Sequence, residues 1–300
     1  MKKKEEVILR DNSKVTPNTA KILIEALPYI QQLSGTTIVI KFGGNAMTDD
    51  ALKNNFARDV VLLKKVGCHP VIIHGGGPQI TKNLEKQGIE SNFANGMRIT
   101  DEKSIDIIEM VLGGLINKDI VNTITSLGGK AVGLSGKDGG LIRAKKIEGE
   151  GEFKNIDFKN TGTVKSIDPG VVKLLDGSTF IPVIAPIGIG DDGKTYNINA
   201  DIVAGKIAHI LQASKYLILT NTQGILDSNG SLIQSINTDG VKKLVEKGIL
   251  SQGMLPKVNS ALEAVTSGVE HVQIIDGTID HSVILELFTD EGIGTMIRRN

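Results

Sequence analysis

The chain has 300 residues, with 34 lysines and arginines against 34 aspartates and glutamates. The neutral balance excludes the basic excess of a nucleic-acid protein, and 3% aromatic content without tryptophan disfavours surfaces that stack sugars or single strands. The length suits one large α/β domain or two fused lobes, and a lone cysteine, Cys68, excludes a disulfide framework.

Residues 1–15 read as polar and frayed. No apolar stretch of roughly 7–15 residues follows the first lysines, so no secretory signal is expected. No run reaches the about 18 apolar residues of a membrane span. Thr16-Pro17 predicts an N-cap followed by proline in the first turn. Ala20, Leu23, Leu27 and Ile30 then recur at helical spacing to Leu33, with Pro28 expected to kink or break the helix. This helix precedes the first strand, so its apolar face needs cover from its own domain or from another subunit.

Ile38-Val39-Ile40 is a β-branched run that ends in Lys41-Phe42-Gly43-Gly44-Asn45. The junction fits a plain strand-to-helix turn with a surface lysine. It equally fits an anion site, where glycine backbone presents bare N–H groups beside a point charge. A helix over Leu52–Val66 follows, then a strand over His69–His74, Gly75-Gly76-Gly77-Pro78 and a helix from about Gln79. Two such loops side by side in a parallel sheet make one anion cradle, strengthened by helix N-termini. His74 reads as a satisfied strand-end histidine, and Cys68 as a buried thiol.

Asn95-Gly96-Met97-Arg98 reads as a turn carrying an arginine suited to carboxylate capture, with a cap at Asp101 and a long helix to Thr125. Ala131–Leu134 is a third strand. Short alternating pieces over Leu141–Ile147 and Thr163–Ile167, around the charged Glu148–Glu152, predict an antiparallel hairpin inserted in the sheet order. Phe180–Pro186 is a strand whose prolines suggest a strand boundary and not a mid-sheet position. Asn197 and Asn199 point the same way in extended backbone, and Asp201 opens a helix through His209. Leu217–Thr220 is a strand, and Thr238–Lys247 a helix. Lys257 enters the next helix against the dipole's preference, which suggests an anion there. His271–Ile275 is a strand and Met296–Arg298 the last, edge strand.

Repeated βα units predict an α/β fold: an open, mainly parallel twisted sheet with helices on both faces, plus the appended N-terminal helix. No G-x-x-x-x-G-K-[ST] and no G-x-G-x-x-G after the first strand are present, so P-loop and dinucleotide folds are excluded. Two glycine cradles, two lysines, one aspartate and an arginine suit phosphoryl transfer, which needs mainly positioning and charge neutralisation. A carboxylate acceptor is ionised at neutral pH and needs no general base.

Lys41-Phe-Gly-Gly, His74-Gly-Gly-Gly-Pro-Gln-Ile80, Asn95-Gly-Met-Arg98-Ile-Thr-Asp101, Gly129 to Gly139, Tyr196-Asn-Ile-Asn-Ala-Asp201 and Gly253-Met-Leu-Pro-Lys257 cover nearly the whole length in order. In these segments the chain resembles the amino acid kinase family, and within it the acetylglutamate kinases. The resemblance implies ATP-dependent phosphorylation of the side-chain carboxylate of N-acetyl-L-glutamate, the second step of arginine synthesis. It implies that Lys41 and Lys257 stabilise the transferring phosphoryl group and that Asp201 organises them. Gly43, Gly44 and Gly75 would cradle phosphate oxygens, with Thr220 and Gly224 in the ATP site. Gly76 and Gly77 would reach the substrate, Arg98 would take its α-carboxylate, and Asn197 and Asn199 its acetamido end. Mg2+ would travel on the ATP phosphates, with no metal site on the chain itself.

By the same resemblance, residues 1–34 form a helical extension, 35–186 an N-terminal lobe for substrate binding and dimerisation, and 187–300 a C-terminal lobe for ATP. The extension and the segment Leu285–Thr295 resemble the arginine-inhibited hexameric branch. That implies a trimer of dimers, with Tyr29, Glu286 and Gly292 near the effector and a PII signalling protein as a possible partner. No nucleic acid or membrane partner is expected, and the location is the cytoplasm, or a plastid stroma if the chain is plastid-encoded. Asn221 departs from the aspartate common in the family. Alternatives are a kinase acting on aspartate, carbamate or a nucleotide, and a non-catalytic arginine sensor.

Overall fold

The computed structural model describes residues 17–94, 96–149, 154–250 and 253–300. The segment 1–15 expected to fray, the expected cap at Thr16, Asn95 and most of the charged run, at 150–152, lie outside the described residues. Helix α1 (Pro17–Leu33) leads into β1 (Thr37–Phe42), α2 (Asp50–Lys65), β2 (His69–His74) and α3 (Gly77–Glu85). A small ribbon of β3 (Asn92–Ala94) and β4 (Met97–Ile99) precedes α4 (Glu102–Glu109), which continues through a π-helical stretch, Met110–Ile116, into α5 (Asn117–Ser126). Then come β5 (Ala131–Ser135), β6 (Ile142–Lys146), β7 (Thr161–Ile167), α6 (Gly170–Asp176), β8 (Ile181–Ala185), β9 (Ile187–Gly190) and β10 (Thr195–Ile198). The remainder is α7 (Ala200–Ile210), β11 (Lys215–Thr220), β12 (Ser235–Asn237), α8 (Thr238–Glu246), α9 (Leu255–Thr266), β13 (His271–Asp276), α10 (Ser282–Leu287) and β14 (Thr295–Arg298).

One eight-stranded sheet, in the order β12-β14-β13-β11-β1-β2-β8-β5, forms the spine, parallel throughout except for β14 against β13. The chain leaves β1 toward β2 on one side and returns to β11 on the other. The carboxyl end of β1 is therefore a switch point, where open α/β sheets place ligands. Side chains alternate across β1. Ile38, Ile40 and Phe42 pack with Phe56, Val60 and Leu63 of α2, Phe42 stacking on Phe56 at 3.8 Å. Val39 packs on the opposite side with Val203 and Ile207 of α7 and Val258 and Ala261 of α9. Lys41, two residues on, shares that side.

Four expectations need correction. The helix runs through Pro28 unbroken, because proline removes only one bond of a ladder whose other turns persist. The hairpin of β6 and β7 is not inserted in the main sheet; with β9 and β10 it closes a separate four-stranded barrel. Strand β8 lies inside the sheet, between β2 and β5, despite Pro182. Its pairing with β2 begins only at Val183, so that side of the ladder needs no N–H from the proline. Finally, β14 is internal; the three-residue β12 forms the edge beside it.

On α1, Ile22, Leu23, Ile24 and Leu27 are exposed and only Leu33 joins the core. Among the described residues, nothing covers these four side chains. No helix among the described residues is long and apolar enough to cross a membrane.

Candidate active site

Lys41 at the end of β1 is 7% exposed, a burial that a lysine tolerates only with a partner. Its Nζ lies 3.2 Å from Oδ1 of Asp201, and Lys257 Nζ donates to Oδ2 of the same carboxylate at 3.1 Å. Local chemistry sets each part. Asn199 caps α7, its Oδ1 accepting from the N–H groups of Asp201 and Ile202 at 2.7 and 3.4 Å, and this puts Asp201 in the first turn. Lys257 stands in the first turn of α9. Helices α7 and α9 approach closely because Gly205 has no side chain: a Cβ there would lie 2.7 Å from Ser260 Oγ. Ser260 and Tyr216 both donate to the Asp201 carbonyl, fixing the helix start from α9 and β11. Neither supporting residue was predicted. Ser260 shares a helix face with Lys257 at i, i+3, which is the only sequence signal; Tyr216 sits in an unremarkable apolar run.

Burial pulls the Lys41 ammonium below its usual value, opposed by Asp201 and reinforced by Lys257. Burial pushes Asp201 up, but the two ammonium groups outweigh it and hold the carboxyl below its ordinary value. Asp201 is thus ionised at neutral pH, and two cations against one anion leave surplus positive charge.

The triad opens on a cleft of about 210 Å³ lined by Gly43, Gly44, Gly75, Gly76 and Gly77. Arg98, Asn197 and Asn199 face the same cleft. Asp201 is its only carboxylate among the described lining residues. Gly44 has φ +73, and a Cβ on it would lie 2.5 Å from Asn221 Oδ1. That oxygen accepts from the Asn45 N–H at 2.9 Å, tying the first glycine loop to the end of β11. Gly75 donates its N–H to the Phe42 carbonyl at 2.8 Å, so it stitches the two loops together and has no N–H left to offer. Asn197 donates to Thr100 Oγ1 at 3.1 Å.

Arg98 lies on β4 of the ribbon, not in a free turn, and is 7% exposed. It donates to Ser91 Oγ, to Thr81 Oγ1 at 2.8 Å and to the Gly77 carbonyl at 3.2 Å, and stacks 4.6 Å over Phe93. Burial draws its guanidinium down from its usual value. Among the described residues no carboxylate pairs with it. The capping of α4 by Asp101, expected from sequence, is present.

Thr220 and Gly224 do not line the cleft. Thr220 ends β11 two residues beyond Ile218, the register partner of Lys41. Gly224, at φ +147, lies against Thr295 and Leu232. Tyr29, Glu286 and Gly292 do not line the cleft either. Tyr29 donates to Asp290 and packs near Phe288, while Glu286 accepts from the N–H groups of Ile293 and Gly294. Gly292 turns at φ +63 over the Glu286 carboxylate. Cys68 is buried, its thiol pushed up to about 11 by burial.

A switch-point cleft with glycine N–H groups, paired lysines and a guanidinium that no carboxylate among the described residues pairs defines an α/β enzyme built to hold more than one anion. A model of the amino acid kinase family matches residues 36–276. The acetylglutamate kinase of Alkalilimnicola ehrlichii is 54% identical over 98% of this chain and 99% of its own length. That of Halorhodospira halophila is 55% identical over 94% and 96%. The chain belongs to the amino acid kinase family, in its acetylglutamate kinase branch. Among solved structures, N-acetylglutamate synthase from Neisseria gonorrhoeae complexed with coenzyme A and N-acetyl-glutamate superposes at TM-score 0.84 and 28% identity. The match covers 94% of this chain and 63% of that one. The same synthase complexed with coenzyme A and L-arginine gives 0.81 at 27%, over 94% and 65%. A carbamate kinase from Giardia shares the fold, at TM-score 0.64 and 16% identity over 89% of this chain and 100% of its own.

Proposed function

We propose that the enzyme transfers the γ-phosphoryl group of ATP to the side-chain carboxylate of N-acetyl-L-glutamate, giving N-acetyl-L-glutamyl 5-phosphate and ADP in arginine synthesis. The observation that carries this is the pairing, in one cleft, of the Lys41–Asp201–Lys257 cluster with a buried arginine that lacks a carboxylate. A carboxylate oxygen attacks the γ-phosphorus, and the bond to the β,γ-bridging oxygen breaks as ADP leaves. Lys41 and Lys257 neutralise charge spread over the transferring group, and Asp201 holds both ammonium groups still. The N–H groups of Gly43 and Gly44 serve phosphate oxygens, and those of Gly76 and Gly77 the acceptor end. Arg98 takes the α-carboxylate, with its place already set by Ser91 and Thr81. Asn197 and Asn199 border the acetamido end. The glycine loops fit phosphates because they present backbone without side chains; Mg2+, carried by ATP, would supply further charge neutralisation there. Thr220 and Gly224 belong to the nucleotide side.

Arginine inhibition is part of the same proposal. The carboxylates of Glu286 and Asp290, the first against Gly292 and the second bonded by Tyr29, suit a guanidinium or ammonium group. The synthase with L-arginine bound lends support by analogy. The uncovered apolar face of α1 suits packing on a second copy, giving a hexamer from core dimers. A PII partner and a cytoplasmic location complete the reading.

An ADP-release assay with N-acetylglutamate, aspartate and carbamate tests the reaction. Turnover with N-acetylglutamate alone is expected; turnover only with another acceptor would sink it. Light scattering with and without residues 1–34 tests the assembly, and a dimer in both cases would refute the hexamer.

A further inference from the structure

The second glycine loop is held from behind by groups that touch no substrate. His74, at the end of β2, has no exposed surface. Its Nδ1 lies 2.9 Å from the Gly75 carbonyl oxygen, and its Nε2 lies 3.2 Å from Asn117 Nδ2. A carbonyl only accepts, so Nδ1 carries the hydrogen and Nε2 is bare. Asn117 demands the same tautomer independently. Its Nδ2 also faces the carbonyls of Val183 at 2.9 Å and Leu134 at 3.2 Å, so the amide nitrogen, not the oxygen, is on that side. An amide nitrogen accepts nothing, so a hydrogen on Nε2 would find no partner there, and the bare Nε2 can take one of the two amide hydrogens that three acceptors share. Asn117 is itself fully buried, and Gly133 makes room for it: a Cβ there would lie 1.9 Å from its Oδ1.

The same helix grips the loop directly. A Cβ on Gly76 would meet Ile116 at 2.5 Å and Leu112 at 2.8 Å. Leu112 and Ile116 lie in the π-helical stretch, and Asn117 follows it at once. Peptides here are trans among the described residues, so a carbonyl and the next N–H point in opposite directions. With the Gly75 carbonyl turned to the imidazole, the Gly76 N–H turns the other way. It has no backbone acceptor among the described residues, and Gly76 lines the cleft.

We propose that His74 is a positioning residue of the phosphoryl-transfer site: locked as the Nδ1–H tautomer by Asn117, it orients the Gly75–Gly76 peptide so that the Gly76 N–H faces the cleft as an anion donor. The proposal rests on the phosphoryl-transfer reading of the cleft. Burial pushes the imidazole down to about 4, against the Gly75 hydrogen bond, so the lock holds through the neutral range.

Nitrogen-15 NMR of the full chain reads the tautomer without reference to activity. The expected His74 signals are a protonated Nδ1 and a bare Nε2, unchanged from about pH 8 to about pH 5.5. Kinetics read the consequence. His74→Asn, whose amide nitrogen can replace Nδ1, should keep kcat within about threefold, while His74→Leu should lower kcat about tenfold or more with a smaller change in KM. A protonated Nε2 overturns the proposal. So does wild-type kcat in His74→Leu, or an equal loss in the leucine and asparagine variants, which would leave only a packing role. No turnover in the wild type overturns the phosphoryl-transfer reading itself, while the tautomer signals still decide the orientation of the peptide.

Discussion

The loop after β1 and the loop after β2 repeat one device, an apolar strand running into glycines and a helix, yet they answer to different halves of the molecule. The first is tied to β11 through the Asn221 carboxamide on the Asn45 N–H. The second is held by the long helix, through Leu112, Ile116 and the Asn117–His74 pair. The Gly75 N–H on the Phe42 carbonyl stitches one to the other, with a longer 3.4 Å bond from Gln79 Nε2 to the Met47 carbonyl beside it. Identical glycine turns therefore take their exact shape from unlike neighbours, and substitutions behind each loop should be felt by different substrates.

The largest effect is expected where the two walls share a group. Asp201→Ala leaves two ammonium groups facing each other, so kcat should fall by about a thousandfold or more. Loss of the buried partner should also cost about 3–5 kcal/mol in urea unfolding. A kcat within tenfold of wild type would mean that the walls work without their common carboxylate.

Acid should next distinguish the loops, since an imidazole stands behind only the second. The folded-state value of His74 is about 4 against an ordinary 6.5. Below pH 6.5 the unfolded chain takes up a proton that the folded chain refuses. This contribution is thus complete above 6.5 and falls away toward pH 4, by about 3 kcal/mol. Asp201, held below its ordinary carboxyl value, loses its contribution only at lower pH, outside that window. Urea unfolding at several pH values should show the slope in the wild type and a shallower one in His74→Asn; equal slopes would remove the distinction.

Arg98→Ala acts on the second wall and should raise the KM for N-acetylglutamate by about a hundredfold, leaving that for ATP nearly unchanged. Smallest of all, Asn221→Ala removes one hydrogen bond from the first wall and should raise the KM for ATP by about three- to tenfold without touching the acceptor. If either substitution moved both constants alike, the two walls would be one unit and the contrast would fail.

Much of this site was legible residue by residue. Lys41 stood at a strand end, Asp201 where a helix opens, and Lys257 at a helix start where the dipole disfavours it. Their meeting was expected from charge and from the family resemblance, but no local pattern encodes its geometry, which depends on the alternation that turns Lys41 toward α7 and on the Gly205–Ser260 contact that brings α9 alongside. Pro182 and Met296–Arg298 were misplaced for a related reason. Whether a strand is internal depends on which strands arrive beside it, and proline forbids only a missing donor, which the late start of the β2 ladder avoids.

Short-range physics was therefore enough to determine the long helices and most strands of the main sheet, the cap at Asp101 and the glycine turns, since each depends on neighbours a few residues away, whereas the short β3, β4, β9, β10 and β12, the helices α6 and α10 and the capping role of Asn199 were not read from it. Strand order, the sharing of Asp201 by two lysines, the tautomer of His74 and the direction of the Gly76 N–H were decided only by the tertiary structure. Each of those rests on a contact between groups tens to hundreds of residues apart, such as His74 with Asn117 or Lys41 with Asp201, and no local pattern encodes which distant partner will fill the space.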